Sequence, residues 1–236
     1  ALTGTMGAGA VYDGTLQNDG NVADLLTLAG PAGDAFWSIQ YLDYASRDIT
    51  AQVTAGGWTA PPTAPANTRA FRVVVTPKQA ANGSVKTVLV TGASRLDATR
   101  KDVLKVVTTA GPSCQPDLQL RPLSEGTYTG ENVYTTTGAG QTKVQAVRPG
   151  QTATFVFHAQ NDGNVADTLK LTGPAAPTGW TVRYVNAATG ADITGQLTGA
   201  GYSTGVLAPG AYAWLSAQVT PSGSVPAGSV CTLTLT

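Results

Sequence analysis

Charge is scarce in this sequence. Only 12% of the 236 residues are charged, and 14 basic side chains balance 14 acidic ones. Without net positive charge there is no electrostatic footprint for a nucleic-acid backbone. One histidine leaves little material for metal or acid–base chemistry, and two cysteines exclude a disulfide-dense miniprotein. No run of about 18 apolar residues occurs, so no membrane-spanning helix is predicted. No stretch carries a sustained helical period with capping residues at its ends. What is present is a hydrophobic share of 42%, together with 28 glycines and 14 prolines. That composition supports packed cores rather than disorder. The length suits two domains of roughly 100 to 120 residues each. Low charge with abundant Thr, Ala and Gly points to an extracellular or cell-surface location. The small-residue start at Ala1 is compatible with a cleaved leader or with an excised fragment.

The chain repeats itself. Gln17-Asn18-Asp19-Gly20-Asn21-Val22-Ala23-Asp24 returns unchanged as Gln160-Asn161-Asp162-Gly163-Asn164-Val165-Ala166-Asp167. The correspondence continues through Gly30-Pro31 and Gly173-Pro174, Trp37 and Trp180, Tyr41 and Tyr184. It runs on through Asp48-Ile49-Thr50 and Asp192-Ile193-Thr194, then Val75-Thr76-Pro77 and Val219-Thr220-Pro221. Two homologous domains in tandem are expected, over residues 1–111 and 112–236.

Short β-branched and aromatic runs, such as Phe71-Arg72-Val73-Val74-Val75 and Thr154-Phe155-Val156-Phe157-His158, are strand patterns. Pro and Gly clusters punctuate them at short intervals. The repeated Asn-Asp-Gly-Asn lies between two such runs and predicts a tight hairpin turn, with glycine at positive φ. About seven short strands per repeat and no helices predict two antiparallel β-sandwiches, all-β and immunoglobulin-like.

The strand leading into Asn-Asp-Gly-Asn-Val-Ala-Asp, the following Gly-Trp, Leu207-Ala208-Pro209-Gly210 and the Val-Thr-Pro strand carry a resemblance. They resemble the immunoglobulin-like repeat domains of bacterial and archaeal cell-surface proteins, including S-layer-associated and adhesion-related modules. Residues 128–142 resemble the leading hairpin of such repeats, and residues 94–103 the loop into their last strand. The resemblance implies a surface location and a structural or adhesive role. It implies no particular ligand, since these domains serve as spacers, adhesins and polymer subunits.

The repeat is cut unevenly. The second copy has a long lead-in, residues 116–150, whereas only residues 1–16 precede Gln17 in the first. The first copy has a last strand, residues 103–109, with no counterpart after Leu235 in the second. Each sandwich is therefore expected to lack a terminal strand at its outward end. Open strand edges invite pairing, and a strand donated by a neighbour would close them. Two deficits at opposite ends permit a head-to-tail homopolymer, a self-assembling filament or layer. Residues 1–10 are the candidate donor, and Ala1, Leu2, Met6, Val11, Leu233 and Leu235 are the candidate assembly residues. The alternatives are a spacer fragment of a longer repeat array and an adhesion or carbohydrate-binding module pair.

No catalytic residue stands out, and no cofactor is expected. His158 alternates with Phe155 and Phe157 on a strand and has no ligand-spaced partner, and no Ser sits in a nucleophile-elbow motif. Asp19, Asn21 and Asp24, repeated as Asp162, Asn164 and Asp167, offer oxygen donors for Ca²⁺. Asx side chains also bond their own turn backbone, which gives the motif a purely structural use. Cys114 and Cys231 are either free thiols or a disulfide, which would close a loop of about 117 residues and add up to roughly 4.7 kcal/mol. Aromatics at matching places in both copies fit packing of the shared fold. Trp214 differs, because its counterpart is Ala70. It is the candidate for a contact made by one copy alone, such as a cell-surface glycan.

Overall fold

The computed structural model describes all residues, Ala1–Thr236. By contacts the chain divides into unit 1, Ala1–Ser113, and unit 2, Cys114–Thr236. Unit 1 contains β1 (Leu2–Gly4), β2 (Ala10–Gln17), β3 (Leu26–Ala29), β4 (Trp37–Asp43), α1 (Thr50–Thr54), β5 (Trp58–Thr59), β6 (Thr68–Pro77), β7 (Val85–Ser94) and β8 (Lys101–Ala110). Unit 2 contains β9 (Pro116–Pro122), β10 (Ala153–Asn161), β11 (Asp167–Leu171), β12 (Trp180–Asn186), α2 (Thr194–Leu197), β13 (Tyr202–Leu207) and β14 (Tyr212–Pro221). The fold is all-β. The two helices are single turns that the sequence pattern missed, because each is too short to develop a helical period.

In unit 1 a sheet ordered β1-β8-β7-β3-β5 faces a sheet ordered β2-β6-β4. The period-2 alternation of β4 and β6 sends Trp37, Ile39, Tyr41, Phe71, Val73 and Val75 inward. There they meet Leu26 and Leu28 of β3 and Val88 and Val90 of β7 in one core. In unit 2 the order is β12-β14-β10-β9 against β11-β13. Phe157, Tyr184, Leu215 and Val219 close on Leu169, Leu171 and Leu207. Burial of each such side chain contributes about 1.5 to 3 kcal/mol.

The repeated sequence produces repeated contacts. Tyr41 donates its hydroxyl to Pro31 O at 3.0 Å, and Tyr184 donates to Pro174 O at 3.0 Å. Burial pushes both phenols up to about 12. Gly30 and Gly173 recur because the tyrosine passes directly over them. A Cβ on Gly30 would stand 2.4 Å from the Tyr41 hydroxyl, and one on Gly173 would stand 2.4 Å from Leu197 Cδ2.

The Asn-Asp-Gly-Asn segment is not the hairpin that its sequence predicts. β2 and β3 lie in different sheets, as do β10 and β11, so the turn crosses from one sheet to the other. Neither Gly20 nor Gly163 has positive φ. The organiser is the buried asparagine ahead of them. Asn18 donates through Nδ2 to Val22 O at 2.8 Å and Thr63 O at 2.7 Å, and its Oδ1 accepts from Gly20 N at 3.0 Å. Asn161 makes the same set with Val165 O at 2.8 Å, Leu207 O at 2.9 Å and Gly163 N at 3.0 Å. Residues 128–142 likewise differ from a leading hairpin. They are mostly turns and irregular chain, joined to β9 by the Thr129–Leu120 bridge. Residues 95–100 do form the loop from β7 into β8.

Candidate functional site: an open lane in unit 2

Unit 1 defines what a completed second sheet looks like. β3 pairs antiparallel with β7 from Leu26↔Ser94 to Ala29↔Thr91. β7 pairs along its length with β8, and β8 pairs in parallel with β1 from Leu2↔Thr108 to Gly4↔Ala110. From β8, Thr108 and Ala110 are buried and Val106 packs on the core. Tyr12 donates its hydroxyl to Val107 O at 2.6 Å and lies 2.9 Å from Thr108 Oγ1.

Unit 2 carries the flanks of this arrangement without its middle. Thr172 N donates to Thr236 O at 2.7 Å, and Thr236 N returns a bond to Thr172 O at 3.0 Å. Thr172 corresponds to Ala29 and Thr236 to Thr91, so residues 231–236 begin the β7 lane in the same register. On the far side, the turn closed by Gln151 N donating to Arg148 O reproduces the unit 1 turn closed by Ala8 N donating to Thr5 O. Gly150 and Gly7, within those turns, have φ of 78° and 79°. Gln145 then corresponds to Leu2 of β1. Among residues 114–236 no strand pairs beside residues 231–236 as β8 pairs beside β7 in unit 1, and the positions equivalent to 92–110 fall beyond Thr236.

The chemistry of the flanks matches an unfilled lane. Val88 and Val90 of β7 are 0% and 1% exposed, whereas their counterparts Leu233 and Leu235 are only partly buried against the unit 2 core. Asp24 shows what the carboxylate at this corner does in a filled sheet. It accepts from Ser94 Oγ at 2.5 Å and Leu96 N at 3.3 Å, tying down the end of β7. The Ser94 hydroxyl holds the Asp24 carboxyl below its ordinary value against the opposing effect of burial, helped by nearby backbone amides. Its counterpart Asp167 accepts from its neighbour Thr168 N at 2.7 Å and raises the pKa of the Cys114 thiol by hydrogen bonding.

The structure gathers the candidate residues differently from the sequence reading. Leu233 and Leu235 line the lane. Ala1, Leu2, Met6 and Val11 belong to unit 1. Leu2 sits in β1, paired to β8; Met6 lies in the Thr5–Ala8 turn; Val11 is exposed on β2, whose only ladder is to β6. Residues 1–10 are therefore engaged in their own unit rather than free. Cys114 and Cys231 are free thiols, one exposed and one half-buried, in place of the disulfide alternative.

No group of three or more His, Cys, Asp or Glu side chains is gathered in one place, and the oxygen donors of the repeated motif are used within the fold. Asp19 accepts from Gln17 Nε2 at 2.8 Å, Asp162 accepts from the Tyr134 hydroxyl at 2.9 Å, and Asp24 serves β7. Asn21 is exposed, and Asn164 is half-buried and engaged within the protein.

No family model matches the chain, and no curated protein matches it. Among solved structures, the C-terminal domain of the AgI/II polypeptide BspA of Streptococcus agalactiae is similar at 10% identity. The match covers 94% of this chain and 86% of that one, with a TM-score of 0.31. The secreted serine protease VesC from Vibrio cholerae is similar at 11% identity over 95% of this chain and 46% of that one, with a TM-score of 0.27. Overlap this loose assigns neither a family nor a role. No helix is long and apolar enough to cross a membrane.

Proposed function

We propose that this chain is a structural component of a bacterial or archaeal cell surface, not an enzyme, and that a strand donated into the unit 2 lane links copies head to tail into a filament or layer. The observation that carries the reading is the lane itself. The flanks lie in unit 1's register, and two leucines are half-covered where unit 1 has fully buried valines. A strand with the pattern of β8 would bury the leucines and supply backbone partners along the lane. Residues 1–10 are the proposed donor, and the three-residue β1–β8 ladder with the Gly111 N–Gly4 O bond that holds them in unit 1 opens for the exchange. Such an exchange is heterologous and propagates rather than closing. The zero net charge adds no electrostatic barrier between copies.

Negative-stain electron microscopy of the concentrated, purified chain is expected to show strings of beads. A monodisperse, protease-resistant monomer at the same concentration would overturn the reading.

A further inference from the structure

The outward face of the β9-β10-β14 sheet carries a set of rings that unit 1 lacks. His158 of β10 stands opposite Trp214 of β14, and Gln160 opposite Tyr212. The imidazole stacks on Tyr128 with centroids 3.9 Å apart, and on Tyr212 at 4.3 Å with 14° between the planes. Trp214 lies 5.3 Å from the imidazole, and Tyr212 and Trp214 lie 6.0 Å apart with only 22° between their planes. Arg121 caps the row, its guanidinium 5.0 Å from the Tyr128 ring centre.

Two features distinguish this row from core packing. First, Tyr212 and Trp214 are 44% and 45% exposed, so much of their apolar surface is presented to solvent at a shared tilt. Second, polar atoms collect beside them unpaired. His158 is 9% exposed and its Nε2 has no hydrogen-bond partner, and neither do the Tyr128 hydroxyl or Arg121 Nε. Burial, reinforced by the Arg121 charge, lowers the His158 pKa and keeps the imidazole neutral, able to accept as well as donate. The fold does not require these rings. The equivalent positions in unit 1 are Thr15, Thr68 and Ala70, in the same ladder of β2 and β6.

We propose that this face is a carbohydrate-binding platform, with Tyr212 and Trp214 as the stacking rings and His158, Tyr128 and Arg121 as the polar groups that meet sugar hydroxyls. The face of a pyranose is apolar where its axial C–H bonds project, and it lies flat on an aromatic ring, while its hydroxyls point outward around the rim. Co-tilted exposed rings suit the apolar face, and the unpartnered polar atoms buried beside them supply hydrogen bonds to the hydroxyls once a sugar displaces the covering side chains. A proline-rich peptide would use the rings but leave most of the polar atoms unanswered. The platform lies on the sheet opposite the lane, so it does not depend on strand donation.

The test is retention of the purified chain on three insoluble polysaccharides: chitin, cellulose and bacterial peptidoglycan. Retention on at least one is expected, with Trp214→Ala and Tyr212→Ala each weakening it at least tenfold. Tyr44→Ala, which removes an exposed ring from unit 1, should leave retention unchanged. Far-UV circular dichroism and melting temperature establish that the variants fold. Absence of retention on all three, equal retention of Trp214→Ala, or capture by immobilised polyproline but by none of the three would overturn the proposal.

Discussion

Fusing residues 92–110, the end of β7 with its loop and β8, behind Thr236 raises the melting temperature of unit 2 by about 10 to 20 °C. The reasoning starts from Leu233 and Leu235. Their unit 1 counterparts are fully covered once β8 lies beside them. Completing that burial, and adding inward side chains equivalent to Val106 and Ala110, contributes about 3 to 5 kcal/mol. Within one chain the entropic cost of docking is reduced to closing a short loop. Calorimetry reads the shift. The same fusion dissolves filaments if neighbouring copies supply the missing strand, because the lane is then filled from within. An unchanged melting temperature means that the lane does not accept a strand.

The largest single-residue effect falls at Asn161. Replacing it by Asp converts two donated bonds, to Val165 O and Leu207 O, into oxygen facing oxygen at a fully buried position. The expected loss is about 4 kcal/mol, because a buried group loses its partners and a charge enters where none can be solvated. Asn18→Asp acts in the same way on unit 1. Asn21→Asp, three positions further along the same motif but exposed, changes stability by less than about 0.5 kcal/mol. Urea denaturation of the three variants separates these outcomes. Comparable losses at Asn18 and Asn21 would place the motif's role at its surface rather than in its buried side-chain bonds.

This pair also marks the limit of the sequence reading. The octapeptide repeat marks the motif, and in sequence its conspicuous oxygen donors are Asp19, Asn21 and Asp24. The residue that matters most, Asn18, looks like ordinary turn composition until the chain is seen crossing between sheets. The all-β class and the strand positions were legible because period-2 alternation and Pro/Gly punctuation are local. The pairing of Leu2 with Thr108 was not, since nothing near residue 2 encodes a partner more than a hundred positions away. The aromatic row was half legible. Trp214 stood out against Ala70, but His158 looked solitary because Tyr128 reaches it from a segment without strand pattern. The register of residues 231–236 against Thr172 was not legible either, because it shows only in the paired hydrogen bonds of Thr172 and Thr236.

Hydrogen–deuterium exchange on the monomeric fraction tests the lane most directly. In the isolated monomer, amides of residues 231–235 should exchange far faster than those of residues 86–90, their counterparts beside β8. Adding a synthetic peptide with the Lys101–Ala110 sequence should protect 231–235 and leave 86–90 unchanged. Equal protection of both segments before any peptide is added, or no response of 231–235 to it, would contradict the account.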